Sequence, residues 1–162
     1  MMKNFKKYLE NYDNNSFMYV EYPHKKFWNN KLQNKSLDSY LFDSIEKNID
    51  QNFLYYIHIP HCHTQCLYCT CHVEITKDYN VVMKYFNYLV KELEIQTRIF
   101  KKLEHPIFFT DLHFGGGSPT FLKEEEFDII QSKLESFIDF KNLNEYTIEI
   151  DPRRIKEDRM IY

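Results

Sequence analysis

The run Tyr56-Ile57-His58-Ile59-Pro60-His61-Cys62-His63-Thr64-Gln65-Cys66-Leu67-Tyr68-Cys69-Thr70-Cys71 holds all 4 cysteines of a 162-residue chain, and four of its 7 histidines lie in it or beside it. Thiolate is a soft, charge-donating ligand suited to iron. Cys62, Cys66 and Cys69 are spaced so that one short loop can bring three sulfurs to three corners of an iron–sulfur cluster. A cubane held at three corners leaves one iron open to a substrate or cofactor, which is the arrangement of a reactive cluster. Four protein ligands would fit electron transfer better.

Other chemistries compete for these residues. A disulfide framework needs defined separations and an oxidising compartment, and an untargeted chain meets a reducing cytosol. A structural zinc site could draw on Cys62, Cys66, Cys69 and Cys71 together with His61, His63 or His72, although zinc sites more often use two separated pairs. The histidines read as solvated or hydrogen-bonded loop residues. Cys71 is either a fourth ligand, reached through a tight turn because only Thr70 separates it from Cys69, or a small buried residue beside the cluster; the buried reading is preferred.

The elements that must position this loop follow from periodicity. Residues 1 to about 35 are polar, Asn-rich and aromatic, with a break at Tyr22-Pro23, and read as an extended arm. Ser36 can cap a short helix whose apolar face runs through Leu37, Leu41, Ile45 and Ile49. Phe53 to Ile59 is rich in strand formers and stops at Pro60, which cannot donate to a ladder. Alternation puts Tyr56 and His58 on one face of that strand, near its carboxyl end. Asp78 can cap a long helix with Val82, Phe86, Leu89, Leu93 and Phe100 on one side, ended by His105-Pro106.

A second strand, Ile107 to Phe114, runs into Gly115-Gly116-Gly117-Ser118-Pro119, which contains all 3 glycines of the chain. A sequence so sparing with glycine is expected to group them where backbone approaches something closely or adopts positive φ. Glu124, Glu125 and Glu126 suit the first turn of a third helix, a structural role, with Phe127, Ile130, Leu134 and Phe137 facing the sheet. A third strand, Tyr146 to Ile150, ends at Asp151-Pro152.

Strand, helix, strand, helix, strand predicts an α/β fold, a parallel βαβ series like the first part of a (β/α) barrel, with the third strand's outer edge unpaired. The expected organisation is an arm and short helix over residues 1–52 and the barrel-type segment over 53–162. A net charge of -3 and a pI near 6.2 give no electrostatic footprint for nucleic acid. The basic start, Met1 to Lys7, lacks the apolar run of a signal peptide, and no stretch is long and apolar enough to span a bilayer, so a cytoplasmic protein is expected.

The string YIHIPHCHTQCLYCTC resembles the cysteine motif of the radical S-adenosylmethionine superfamily, and within it the oxygen-independent coproporphyrinogen III oxidases, in which a cysteine matching Cys71 follows the third ligand. HFGGGSPTFL and IEIDPRRI resemble the same family's second- and third-strand motifs, and the likeness extends from about Tyr22 to the end. The resemblance implies a 4Fe–4S cluster on Cys62, Cys66 and Cys69, and S-adenosylmethionine held by Tyr56, Tyr68, Gly116, Gly117, Ser118 and Glu149. Ser118 stands where threonine is more usual and keeps the hydroxyl. The resemblance also implies reductive cleavage of the cofactor to a 5'-deoxyadenosyl radical. That radical would drive oxidative decarboxylation of coproporphyrinogen III to protoporphyrinogen IX in heme biosynthesis, with an electron donor for the cluster.

No other catalytic residue is assigned. Family members continue through three more strands and a carboxyl-terminal region, so the chain is expected to be a fragment. A heme chaperone-like relative and a non-catalytic metal-binding module are the alternatives; Cys71 speaks against the first.

Overall fold

The computed structural model describes residues 36–48 and 50–154. The expected arm, Ile49 and Ile155 lie outside the described residues. Among the described residues three α-helices and five strands follow in the order α1 (Leu37–Glu46), β1 (Phe53–Ile59), β2 (His61–Cys62), β3 (Glu74–Ile75), α2 (Tyr79–Phe100), β4 (Phe109–Gly116), α3 (Glu124–Leu134) and β5 (Glu145–Ile148). The main sheet is parallel in the order β1-β4-β5, with α2 and α3 as the connections. No described helix is long and apolar enough to cross a membrane.

The helices begin at the expected residues. Ser36 Oγ accepts from Ser39 N at 3.3 Å, and Asp78 Oδ1 accepts from Asn80 N at 2.9 Å, satisfying amides that have no partner inside a first turn. Glu126 does more than complement the dipole of α3. It is buried, and its Oε2 accepts from Lys123 N at 2.7 Å and from the Tyr79 hydroxyl at 2.6 Å, so it joins the starts of α2 and α3. α2 stops at Phe100, short of His105-Pro106. Lys102 N and Leu103 N bond back three residues, to Ile99 O and Phe100 O, which tightens the last turn before proline is reached.

The core lies on one side of the sheet. Tyr55, Ile57 and Ile59 of β1, with Leu112 and Phe114 of β4, meet Val82, Phe86, Leu89 and Leu93 of α2 and Ile130 and Leu134 of α3. The helical residues recur at spacings of three and four and the strand residues at two, so each element buries one face. At the amino-terminal end of the strands Tyr55, Phe100, Phe109 and Phe137 close the core as an aromatic cluster, with Phe100 and Phe137 centroids 4.8 Å apart. The opposite face presents Leu54 and Tyr56 to solvent.

The second and third strands run elsewhere than expected. β4 extends to Gly116 because the ladder with β1 continues to its end, pairing His58 with Gly115 and Ile59 with Gly116. β5 is Glu145–Ile148, and a further bond from Glu149 N to Phe114 O, 2.9 Å, holds the residue beyond it.

The bend after β4 is tied to the exit of β1. Gly117 N donates to Ile59 O at 2.8 Å and Ser118 N to His61 O at 2.9 Å. A Cβ on Gly117 would stand 2.7 Å from Pro60 O and 2.8 Å from His61 O, both rigid backbone, so this glycine is required by close approach. Gly116 has φ +111°, a conformation other residues resist.

His61 departs from the expectation of a solvated or hydrogen-bonded loop histidine. It is fully buried, edge-on to Tyr85 at 5.3 Å, with neither ring nitrogen hydrogen-bonded among the described residues. Burial depresses its pKa, against the pull of Glu74, whose Oε2 lies 3.7 Å from Nδ1. The cause is β2, which places His61 beneath the bend while its neighbour faces the loop.

Two outcomes follow for unfolding midpoints in urea. Gly117→Ala is expected to cost about 1–3 kcal/mol, because the added methyl meets carbonyls that cannot move aside. His61→Phe should stabilise by roughly 1 kcal/mol, since it removes buried donors and acceptors without partners and keeps the aromatic packing.

Candidate functional site

Three segments leave the sheet at the carboxyl ends of its strands, where ligands gather in parallel α/β folds. β1 feeds Pro60 and then β2, which carries Cys62. A two-residue parallel bridge to β3, with Glu74 N bonded to Pro60 O at 2.7 Å and Thr76 N to Cys62 O at 2.9 Å, closes the cysteine loop at its base. β4 feeds the glycine bend, and β5 feeds the turn Asp151 to Arg154.

These segments line one cavity of about 540 Å³. Cys62, Cys66, Cys69, Tyr68, Gly116, Gly117, Ser118 and Glu149 all border it, so eight of the nine residues singled out from the sequence come together. Tyr56 does not line it. Its ring lies deeper on the open face of the sheet, stacked on His113 with centroids 5.6 Å apart. Register explains this: Tyr56 pairs with His113, three residues before the bend.

Cys62, Cys66 and Cys69 are each half-buried, and a turn from Cys69 N to Cys66 O, 3.1 Å, folds the loop between them. Burial, then the negative charge of Cys69 and of Cys66, pushes the Cys62 thiol above its ordinary pKa. Cys71 is exposed rather than buried, although it too borders the cavity; both thiols are free, and that of Cys71 is hydrogen-bonded to that of Cys69.

Among the described residues, no three His, Cys, Asp or Glu side chains are gathered around a point that would hold one metal ion. A cubane is a larger body whose ligands stand at separate corners, and three half-buried thiols around a cavity of this size suit it.

Glu149 is held from two sides. Oε2 accepts from Gly116 N at 3.1 Å and Oε1 lies 3.3 Å from His113 Nε2. His113 Nδ1 in turn meets Thr147 Oγ1 at 2.5 Å, so the ring is held at both nitrogens, with Nε2 donating to the carboxylate. His58 is fixed in the same manner, with Nδ1 2.9 Å from the Tyr56 hydroxyl and Nε2 3.0 Å from His72 O, which makes Tyr56 the donor. Burial, then the charges of Glu149 and Cys71, raises the Tyr56 pKa and keeps that proton in place.

Sequence reasoning missed His113, Asp151 and Arg153. Asp151-Pro152 read only as a strand stop, yet Asp151, Pro152 and Arg153 border the cavity. The available signal was their position directly after the third strand, the place already valued in the other two loops.

No protein-family model matches the chain. Over 100 residues it is 40% identical to the oxygen-independent coproporphyrinogen III oxidase of Pseudomonas aeruginosa, covering 60% of this chain and 21% of that protein. The enzyme of the same name from Helicobacter pylori is 31% identical over 143 residues, 88% of this chain and 31% of the relative. One from Mannheimia haemolytica is 26% identical over 144 residues, 89% of this chain and 93% of the relative. Among solved structures, coproporphyrinogen III oxidase from Escherichia coli, described as a radical SAM enzyme, superposes with a TM-score of 0.66 at 23% identity over 89% of this chain and 31% of that one. The chain thus spans about a fifth to a third of the length of the first two relatives. The chain is similar to oxygen-independent coproporphyrinogen III oxidases, over part of the Pseudomonas and Helicobacter proteins and nearly all of the Mannheimia one, and it shares the fold of the matched part of the Escherichia coli structure.

Proposed function

We propose that this chain provides the cluster and S-adenosylmethionine half of an oxygen-independent coproporphyrinogen III oxidase. Residues 53–162 would correspond to the first three β/α units of a partial barrel, preceded by an arm and helix over residues 1–52. The chief support is the convergence of the cysteine loop, the glycine bend and Glu149 on one cavity at the strand ends.

Cys62, Cys66 and Cys69 would hold a 4Fe–4S cluster, which when bound supplies an electron and an open coordination position. The remaining work falls to the chain. The amides of Gly117 and Ser118 are already committed to β1's exit, so what the bend would offer a ligand is acceptors, its carbonyls and the Ser118 hydroxyl, which also meets Thr120 Oγ1 at 3.3 Å. Acceptors suit an ammonium group, such as that of the methionine moiety. Glu149, oriented by the Gly116 amide and His113, presents a carboxylate suited to ribose hydroxyls. Tyr68, exposed beside the cavity with its hydroxyl hydrogen-bonded to Cys66, would border the cofactor, and Tyr56 would support the site from below through His113.

In the whole reaction each of two propionates would lose carbon dioxide, and a hydrogen atom from the carbon next to the one that bears the departing carboxylate, leaving a vinyl group. One further electron per vinyl must pass to a one-electron acceptor.

Anaerobic reconstitution is expected to load about four irons and four sulfides per chain. Alanine at Cys62, Cys66 or Cys69 should each abolish loading, and Cys71→Ala should retain it. Binding of zinc alone would overturn the proposal in favour of a structural metal module. On the loaded chain, Glu149→Gln should weaken S-adenosylmethionine binding by roughly ten- to a hundredfold, the worth of a hydrogen bond to a charged group, with iron content unchanged. Calorimetric titration measures it.

A further inference from the structure

The turn after β5 places a guanidinium on the cysteine loop. Arg153 is gripped side-on by Asp151, with Nε donating to Oδ1 at 2.8 Å and Nη2 to Oδ2 at 2.9 Å, while Arg153 N donates to Oδ1 at 3.1 Å. Nη2 carries a second hydrogen, and it points to Cys66 Sγ at 3.3 Å, across 87 residues of sequence. Asp151 is 18% exposed and Arg153 58%, so the acid is the anchored partner and the base is aimed by it. A bidentate pair fixes the plane of the guanidinium as a single lysine contact would not.

We propose that Arg153, aimed by Asp151, is a positioning residue that donates an N–H···S hydrogen bond to the Cys66 ligand and raises the reduction potential of the cluster. This rests on Cys62, Cys66 and Cys69 holding that cluster. A reduced cluster places more negative charge on its sulfurs than an oxidised one, so a cationic donor at a ligand sulfur stabilises the reduced form more. Arg153 and Asp151 are neutral as a pair. Removing the arginine leaves a bare carboxylate beside the thiolates, and removing the carboxylate's charge leaves a bare cation. The two changes therefore act on the potential with opposite signs, whereas a purely structural turn would lose stability both ways and give no such opposition.

The test is a redox titration, followed by electron paramagnetic resonance, of the anaerobically reconstituted 162-residue chain and its variants. Arg153→Gln should lower the midpoint by roughly a tenfold loss of reducibility, about 59 mV for a one-electron couple. Asp151→Asn should raise it. Should Arg153→Gln take up no cluster, Arg153→Lys decides: it keeps the charge without the side-on grip, and a midpoint equal to that of the unaltered chain would overturn the proposal. Midpoints that do not move, or that move in the same direction in Arg153→Gln and Asp151→Asn, would also overturn it while leaving the cluster assignment standing. An unaltered chain that takes up no 4Fe–4S cluster removes the assignment itself and this role with it.

Discussion

Backbone meets backbone where β4 turns over the exit of β1, and the site exists because nothing separates them. Gly117 N reaches Ile59 O and Ser118 N reaches His61 O, while the absent Cβ of Gly117 leaves room for the carbonyls of Pro60 and His61. Two loops distant in sequence are thereby held at a fixed separation by main-chain bonds, which do not depend on side-chain rotamers. Cys62 follows His61 directly, so the first sulfur inherits its position from this contact.

The helices serve that contact from the far side of the sheet. α2 and α3 bury their apolar faces on β1 and β4, and Glu126 joins their beginnings near the same end of the strands as the cysteine loop. A carboxylate that accepts from both an amide and a phenol is costly to bury and therefore specific in where it can sit. His63 stacks on Phe121 at 4.0 Å, bringing the loop itself down onto the short turn Pro119–Phe121 that follows the bend.

Much of this was legible in the residues. The β1 limits, both helix caps and the grouping of the cysteine and glycine motifs followed from strand formers stopped at Pro60, from Ser36 and Asp78, and from glycine scarcity. What was not legible depended on pairing between distant segments. Gly115 and Gly116 belong to β4 because β1 lies alongside, a fact invisible in a local window. The β2–β3 bridge is too short for any periodicity to announce it, and with it went the burial of His61. Tyr56 shares a face with His58 as alternation required, yet alternation says nothing of depth along the strand, and it stands below the cavity. Cys71 looked small and apolar enough to bury, but the loop's direction after Cys69 decided otherwise.

The two faces of the main sheet differ in kind. One is filled by Tyr55, Ile57, Ile59, Leu112 and Phe114; the other carries Tyr56, His58, His113 and Thr147, linked by ring contacts and polar bonds. Neighbouring positions along a strand thus answer to separate demands, one to holding the fold and the next to what the open side encounters. Drift in the second set can remodel reactivity with little penalty in folding, so a scaffold of this kind is tolerant ground on which new specificities can arise by small changes.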